Sequence, residues 1–251
     1  MRRRVQPDAL AHASARVPRT YSPGGLAGPA SVGGVAQRER PVFARIQARA
    51  SAIEEQRGGA ERRRRLLTGL AGRVVEVGAG SGVSFAHYPP SVSELIAIEP
   101  EPTLRERALA AAEHAPIPVR VLDGVAEHLA LADGSVDAVV LAGVLCSVAD
   151  PRRVLDEAGR VLRPGGELRF YEHVIARNVR LRTLQRVLDA TFWPRLLGGC
   201  HTTRDTETAL RASGFAIEER ERFSFRPTLL STPVATRILG RARSTRHVAG
   251  T

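Results

Sequence analysis

Apolar positions along the chain follow two rhythms. From Pro41 to Leu70 they recur every three or four residues, with Phe43, Ile46, Ala50 and Ile53 in one stripe, and predict helix. Within this segment the Arg62–Arg65 run reads as a solvated helix face rather than an anion site. From Arg73 onward, short β-rich runs alternate with helical ones. Arg73–Val77, Leu95–Ile98, Val119–Leu122, Val136–Leu141 and Glu167–Val174 read as strands. Val136–Leu141 is almost continuously apolar, as a strand covered on both faces should be. A short stretch from Gly82, then Pro102–His114 and Pro151–Leu162, read as the helices between them. Pro151 opens its helix at the first turn and Pro164-Gly165-Gly166 closes it.

After Val174 the alternation loosens. Val179–Thr191 and Arg204–Ser213 read as helices, Trp193–Cys200 as irregular. Phe215–Phe225 and Val234–Ala242 read as strands, and so short a connection makes them an antiparallel pair at the sheet's edge. The βαβα order argues for one α/β domain on a parallel sheet with right-handed crossovers. Residues 1–38 mix Arg, Pro, Gly, Ser and Ala without apolar periodicity. They read as a flexible leader, or as an extension upstream of the true start.

Composition narrows the class. Of 251 residues, 43% are hydrophobic and 25% charged, enough for a sizeable core. No apolar run approaches the roughly 18 to 20 residues of a membrane span. Arg2, Arg3 and Arg4 are followed by no apolar stretch, unlike a secretory signal. Two cysteines are too few for a disulfide framework and fit a reducing, cytoplasmic setting. The net charge of +11 sits at the ends: residues 1–73 hold 15 Arg against 5 acids, and residues 226–251 hold 5 Arg and no acid. The middle carries 17 Arg and 21 acids. All 37 basic residues are Arg, which looks like coding bias rather than selection for phosphate contacts, and no nucleic-acid partner is expected.

The sharpest local signal is Val74-Val75-Glu76-Val77-Gly78-Ala79-Gly80-Ser81-Gly82, a strand running into a glycine turn. Glycines there let a ligand approach the backbone, at the strand ends where open α/β sheets bind. The third glycine falls at Gly82 rather than at position 83, where the dinucleotide fingerprint wants it. Glu99 closes the next strand and can accept ribose hydroxyls, which would serve NAD or S-adenosylmethionine alike. Glu76 would repel a pyrophosphate but suit an amino group. The loop alone favours S-adenosylmethionine and leaves a nicotinamide-dependent oxidoreductase, or an empty glycine turn, open.

Val74–Gly82, Ile98-Glu99-Pro100, Asp133–Asp137 and Val161–Gly166 together resemble, in order and spacing, the motifs of class I S-adenosylmethionine-dependent methyltransferases over about residues 40–243. Val144–Val148, Phe170–Val174 and Gly199-Cys200-His201 with Thr203-Arg204 resemble the methyltransferase-like thiol S-methyltransferase group. The resemblance implies an α/β, Rossmann-like doubly wound seven-stranded sheet, mostly parallel with an antiparallel C-terminal hairpin. It implies a methyltransferase domain over residues 39–243, with a short tail at 244–251. The cofactor would lie at Glu76, Gly78, Ala79, Gly80 and Gly82, its ribose at Glu99 and Pro100, and its adenine at Val125, Ala126 and Glu127. Leu141 and Ala142 would border it, and Leu145, Trp193 and His201 would meet a small, fairly apolar acceptor. A thiol acceptor leads by resemblance, ahead of C- or O-methylation of a quinone- or phenol-like one. Many relatives carry Asp before the Ala-Glu pair for the adenine amino group, where this chain has Val125.

Methyl transfer is an in-line displacement, which asks for positioning and apolar walls rather than an anion against the sulfonium. A thiol needs only to become thiolate. Glu172 and His173 are adjacent on a strand and face opposite sides, and His173 is the candidate general base. No metal is expected, because no second Cys/His pair accompanies Cys200-His201 at zinc spacing. Cys146 reads as a small buried hydrophobe. Tyr171, Trp193, Phe192 and Phe85 are candidate walls.

Overall fold

A computed structural model describes residues 41–245, so the expected leader and the end of the tail lie outside the described residues. The segment expected as one helix is two, α1 (Pro41–Glu54) and α2 (Ala60–Leu67), separated by a π-helical turn over Glu55–Gly59. Gly58 takes φ 106 there, a left-handed conformation that bends the chain without a side-chain clash. The helix ends at Leu67 rather than Leu70 because Gly69 leaves the helical region at φ 80.

Five strands then follow the expected alternation: β1 (Gly72–Val77), β2 (Val92–Ile98), β3 (Val119–Leu122), β4 (Val136–Ala142) and β5 (Leu162–His173). Between them stand α3 (Pro102–Ala112) and α4 (Pro151–Val161). Glu101 caps α3 by accepting the Leu104 N–H, and Asp150 caps α4 by accepting from Arg152 and Arg153, each with Pro in the first turn. The helix expected after Gly82 is only a 3₁₀ turn, Phe85–His87. Pro89 pushes Tyr88 to an extended ψ of 134, which ends the turn at once.

The remaining elements are α5 (Val179–Ala190), the four-residue α6 (Trp193–Leu196), α7 (Thr206–Ala212), β6 (Phe215–Ser224) and β7 (Thr236–Ser244). The seven strands order as β3-β2-β1-β4-β5-β7-β6. The first five pair in parallel, and β7 pairs antiparallel with both β5 and β6. The doubly wound, seven-stranded expectation therefore holds, with the hairpin at the edge.

Strand periodicity divides the core. Val75, Val77, Val139 and Leu141 face α4 with Leu155 and Ala158, while Val74, Ala138 and Val140 face α2 with Leu66 and Leu67. Glu76 lies on the second face among apolar neighbours and is 2% exposed, a burial that requires partners. The outer strand β6 is guarded by charge: Glu218 and Glu219 pair with Arg241 and Arg243, and Glu221 with Arg65. Among the described residues no helix is long and apolar enough to cross a membrane.

Candidate active site

A cleft of about 900 Å³ opens at the carboxyl ends of β1, β2, β4 and β5, where the strand order reverses. The glycine turn forms one wall. Gly78 and Ala79 both donate their N–H groups to the Ile98 carbonyl, at 2.8 and 3.1 Å, which ties the turn to β2. Gly78, Gly80 and Gly82 all have positive φ, but for different surroundings. A Cβ on Gly78 would come within 2.8 Å of Val144, and one on Gly82 within 2.8 Å of Phe85. A Cβ on Gly80 would meet nothing within 4 Å. Gly80 thus faces the cleft, while Gly82 shapes the turn from behind it.

Two buried carboxylates flank the turn. Glu99 accepts the Gly80 N–H on Oε2 at 2.8 Å and the Glu101 N–H on Oε1 at 2.9 Å. Each oxygen keeps a lone pair for the cleft. Burial pushes the Glu99 carboxyl above the usual range, opposed by those two backbone bonds. Glu76 accepts the Tyr88 hydroxyl at 3.0 Å. Burial raises its pKa too, against Ser84 and the charge of Arg63. This corrects the reading of Arg62–Arg65 as a wholly solvated face. Arg63 is buried, lines the cleft, pairs with Glu55 at 2.9 Å and reaches Ser84 at 3.4 Å.

The far end of the cleft is bordered by Pro100, Val125, Ala126 and Glu127. Val125 and His128 form an isolated antiparallel bridge, and Arg160 holds the following loop through the carbonyls of Leu129 and Leu131, both at 2.8 Å. The opposite half is apolar. Phe43, Ile46, Ala50 and Ile53, the predicted stripe of α1, line the cleft rather than pack in the core, where Ala44 and Ala48 of the other face are buried. Trp193, Leu197 and Leu230 join them. Glu54, at the end of α1, accepts both Arg237 amino groups at 3.0 Å and the Tyr171 hydroxyl at 3.0 Å, which fastens the helix across the sheet.

Between the halves three nucleophilic or basic groups meet. His173 Nε2 is 3.2 Å from Cys200 Sγ, and Cys146 lies beside both. Hydrogen bonds from Cys146 and His173 lower the Cys200 thiol, and the same contact with burial pushes Cys146 well up. Glu172 turns the other way, as strand alternation requires. It accepts the N–H groups of Val144 and Leu145 at 2.8 and 3.0 Å, and burial raises it to about 7.

Of the expected site residues, Glu76, Gly78, Ala79, Gly80, Glu99, Pro100, Val125, Ala126, Glu127, Ala142, His173 and Trp193 line the cleft. Gly82, Leu141, Leu145 and His201 do not. Leu141 and Leu145 point into the core, and the His201 ring pairs with Asp189 at 3.8 Å outside the cleft. Tyr171 is a wall, whereas Phe85 is core and Phe192 is half exposed. Sequence reasoning missed Arg63, Tyr88 and the meeting of Cys146, His173 and Cys200. Cys146 follows β4 and His173 ends the adjacent parallel strand β5, a signal that could have joined them. For Cys200 the one signal is the pair of glycines before it, Gly198 and Gly199.

Residues 75–170 match the protein family described as methyltransferase domain. The chain is 37% identical to the human thiol S-methyltransferase TMT1B over 182 residues, 70% of this chain and 73% of the relative. Among solved structures it is similar to the methyltransferase in a complex with the Haloferax volcanii Trm112 methyltransferase activator, with TM-score 0.62 and 18% identity over 82% of this chain and 99% of that one. It is also similar to an S-adenosylmethionine-dependent methyltransferase of Thermotoga maritima, with TM-score 0.57 and 23% identity over 80% of this chain and 97% of that one.

Proposed function

The chain belongs to the class I S-adenosylmethionine-dependent methyltransferases, in the family of the thiol S-methyltransferase TMT1B, and on that premise we propose how its cleft binds and transfers. One observation carries the reading: a single cleft joins a glycine turn flanked by two buried carboxylates to an apolar half roofed by α1. The methionine amino group of the cofactor sits near Glu76, whose buried carboxyl it neutralises. The Gly80 backbone passes against the cofactor, because no side chain stands between it and open space. The ribose hydroxyls donate to the lone pairs of Glu99 left free by Gly80 and Glu101. Adenine lies on Val125 and Ala126, with backbone groups there in place of an acidic side chain.

The acceptor is a small thiol with an apolar body, held by the α1 stripe, Trp193 and Leu197. The cofactor's positive sulfur loses its charge on transfer, so an adjacent anion would stabilise the ground state more than the transition state. Glu172 being turned onto the Val144 and Leu145 amides supports this arrangement, since its charge is kept from the cleft. Holding donor and acceptor in line supplies up to roughly 7–11 kcal/mol of the barrier reduction. His173 is assigned to thiolate formation, because its ring nitrogen lies 3.2 Å from Cys200 Sγ and can accept a proton. The two free cysteines suit a reducing, cytoplasmic setting.

The test is calorimetry with S-adenosylmethionine and NADH side by side, followed by a panel of thiols, phenols and quinols with methyl-labelled cofactor. Saturable binding of the first ligand alone and label transferred to sulfur are expected. NADH binding in its place, or label only on oxygen or carbon acceptors, would refute the assignment.

A further inference from the structure

The sulfur cluster has a geometry that acid–base chemistry does not require. Cys146 Sγ, one His173 ring nitrogen and Cys200 Sγ all lie within 4.8 Å of one another, and all three residues line the cleft. In a tetrahedral zinc site, Zn–S bonds of about 2.3 Å and Zn–N bonds of about 2.0–2.1 Å place ligand atoms roughly 3.5–3.8 Å apart. The Nε2–Cys200 separation is already 3.2 Å, so small side-chain movements close the site.

The scaffold holds these ligands from three directions. Cys146 follows β4, His173 ends β5, and Cys200 arrives on the loop before α7. The two loops are joined at the backbone, where His201 N–H donates to the Cys146 carbonyl at 2.7 Å. Gly199 has φ 90, and a Cβ there would stand 2.8 Å from the Ser147 carbonyl, so only glycine permits this approach. Two thiolates and a neutral imidazole balance a divalent charge, which suits a buried site.

We propose that Cys146, His173 and Cys200 bind one zinc-class divalent cation, whose fourth position faces the cleft and takes the acceptor's sulfur. This deepens the thiol reading above and rests on it for the acceptor alone. Three protein ligands and one open position are the pattern of a catalytic rather than a structural zinc. His173 then assists thiolate formation as a ligand and not as a free base. The acceptor's S–H proton leaves to solvent as its sulfur binds the cation, which deprotonates a coordinating thiol. A lone pair of that sulfur forms the new S–CH3 bond, while the electrons of the breaking CH3–S⁺ bond stay on the cofactor's sulfur. The thioether product is neutral, and water replaces it on the cation.

The experiment uses the full chain, stripped with a chelator under a phosphine reductant and titrated with Co²⁺. One equivalent should bind with thiolate-to-cobalt charge-transfer absorption and tetrahedral visible bands, bleached by Zn²⁺. Cys200→Ser and His173→Ala, each checked by circular dichroism, should weaken binding about 10–100-fold or more, the range that even outer-shell changes produce. Thiophenol should shift the visible bands of the wild type. A folded wild-type chain without charge-transfer absorption, or bands unaltered in Cys200→Ser, would overturn the site. Thiol methylation as fast in chelator as with Zn²⁺ would overturn its role. Cobalt bound as described with no thiol methylated at all would leave the site standing and remove the acceptor reading instead.

Discussion

The Gly80 N–H donates to Oε2 of Glu99 across 2.8 Å, so the glycine turn after β1 and the end of β2 form one rigid corner. The bond orients a carboxylate that would otherwise rotate, and it keeps the turn's backbone facing the cleft. Glu99→Ala removes the proposed ribose acceptor and frees two backbone donors, Gly80 and Glu101, together. Hydrogen bonds to a charged group contribute about 1.5–3 kcal/mol, which corresponds to Kd for S-adenosylmethionine rising about 10–100-fold. Glu99→Gln should fall almost as far, because its amide nitrogen must oppose one of the same donors. Calorimetry on both variants checks this, and an unchanged Kd in either would remove ribose from Glu99.

Val125 offers the converse experiment. It borders the cleft where many relatives place an acidic side chain toward adenine, and the bridge to His128 fixes its backbone. Val125→Asp should tighten cofactor binding by about 1 kcal/mol, roughly fivefold, the typical net value of one added hydrogen bond. Weaker binding would place adenine elsewhere.

Gly78 and Gly80 should separate folding from binding. Both are left-handed, at φ 68 and 59. Alanine at either costs about 1–2 kcal/mol in backbone strain. At Gly78 the new Cβ also meets Val144 at 2.8 Å, whereas at Gly80 it enters open space. Gly78→Ala should therefore melt lower by roughly 6–10 °C, with strain and overlap together about 3 kcal/mol. Gly80→Ala should melt only about 3–5 °C lower yet lose most cofactor affinity. Scanning calorimetry with and without ligand distinguishes them.

What was legible follows from range. Strand β4 announced itself because a strand buried on both faces is almost continuously apolar, β1, β2, β3 and β5 by short β-rich runs between helical ones, and the glycine turn with Glu99 is a local pattern whose geometry follows from its order. Arg63 was misjudged inside a run of four arginines, since its burial depends on Glu55 and Ser84, brought in by other elements. The α1 stripe was correctly periodic, but periodicity says only that a face is apolar. Phe43 and Ile46 look onto the cleft, and nothing in their spacing distinguishes a pocket from a core. Cys200 stands 54 residues from Cys146, and only the glycines before it reveal that two backbones must nearly touch.

Burial raises the Glu76 carboxyl above its ordinary range. The folded pKa then exceeds the unfolded one, so the group's contribution favours folding below the unfolded value and is lost as pH rises through the folded value. A cofactor ammonium reverses this preference by stabilising the carboxylate. S-adenosylmethionine should accordingly bind more tightly as pH rises through the Glu76 pKa, and binding below that point should release a proton. Titration in buffers of different ionisation enthalpy reads the proton directly. Glu76→Gln keeps an acceptor for Tyr88 and should abolish the release, raise the melting temperature of the free protein at neutral pH and weaken the cofactor. A variant that still releases the proton would acquit Glu76.

The Glu54–Arg237 pair tests how the acceptor half is held. Both oxygens of Glu54 receive an Arg237 nitrogen at 3.0 Å, and Tyr171 adds a third bond at 3.0 Å. The two side chains retain only 15% and 11% exposure, so this is a desolvated pair and not a surface one. Removing one member of such a pair costs about 3–5 kcal/mol, because the other charge stays buried. Replacing both by apolar residues leaves no stranded charge and is often neutral. Arg237→Met should thus lower the melting temperature by about 10 °C, and the double variant Glu54→Leu/Arg237→Met should recover most of it. Methyl transfer should behave differently. In both variants α1 loses its polar clamp, so the stripe of Phe43, Ile46 and Ile53 no longer sits at a fixed height over the cleft. KM for an apolar thiol should rise several-fold while the cofactor Kd, assigned to Glu76 and Glu99 in the proposed binding mode, stays put. A double variant that restores both stability and KM would mean that the clamp holds the fold alone and leaves the acceptor wall to packing.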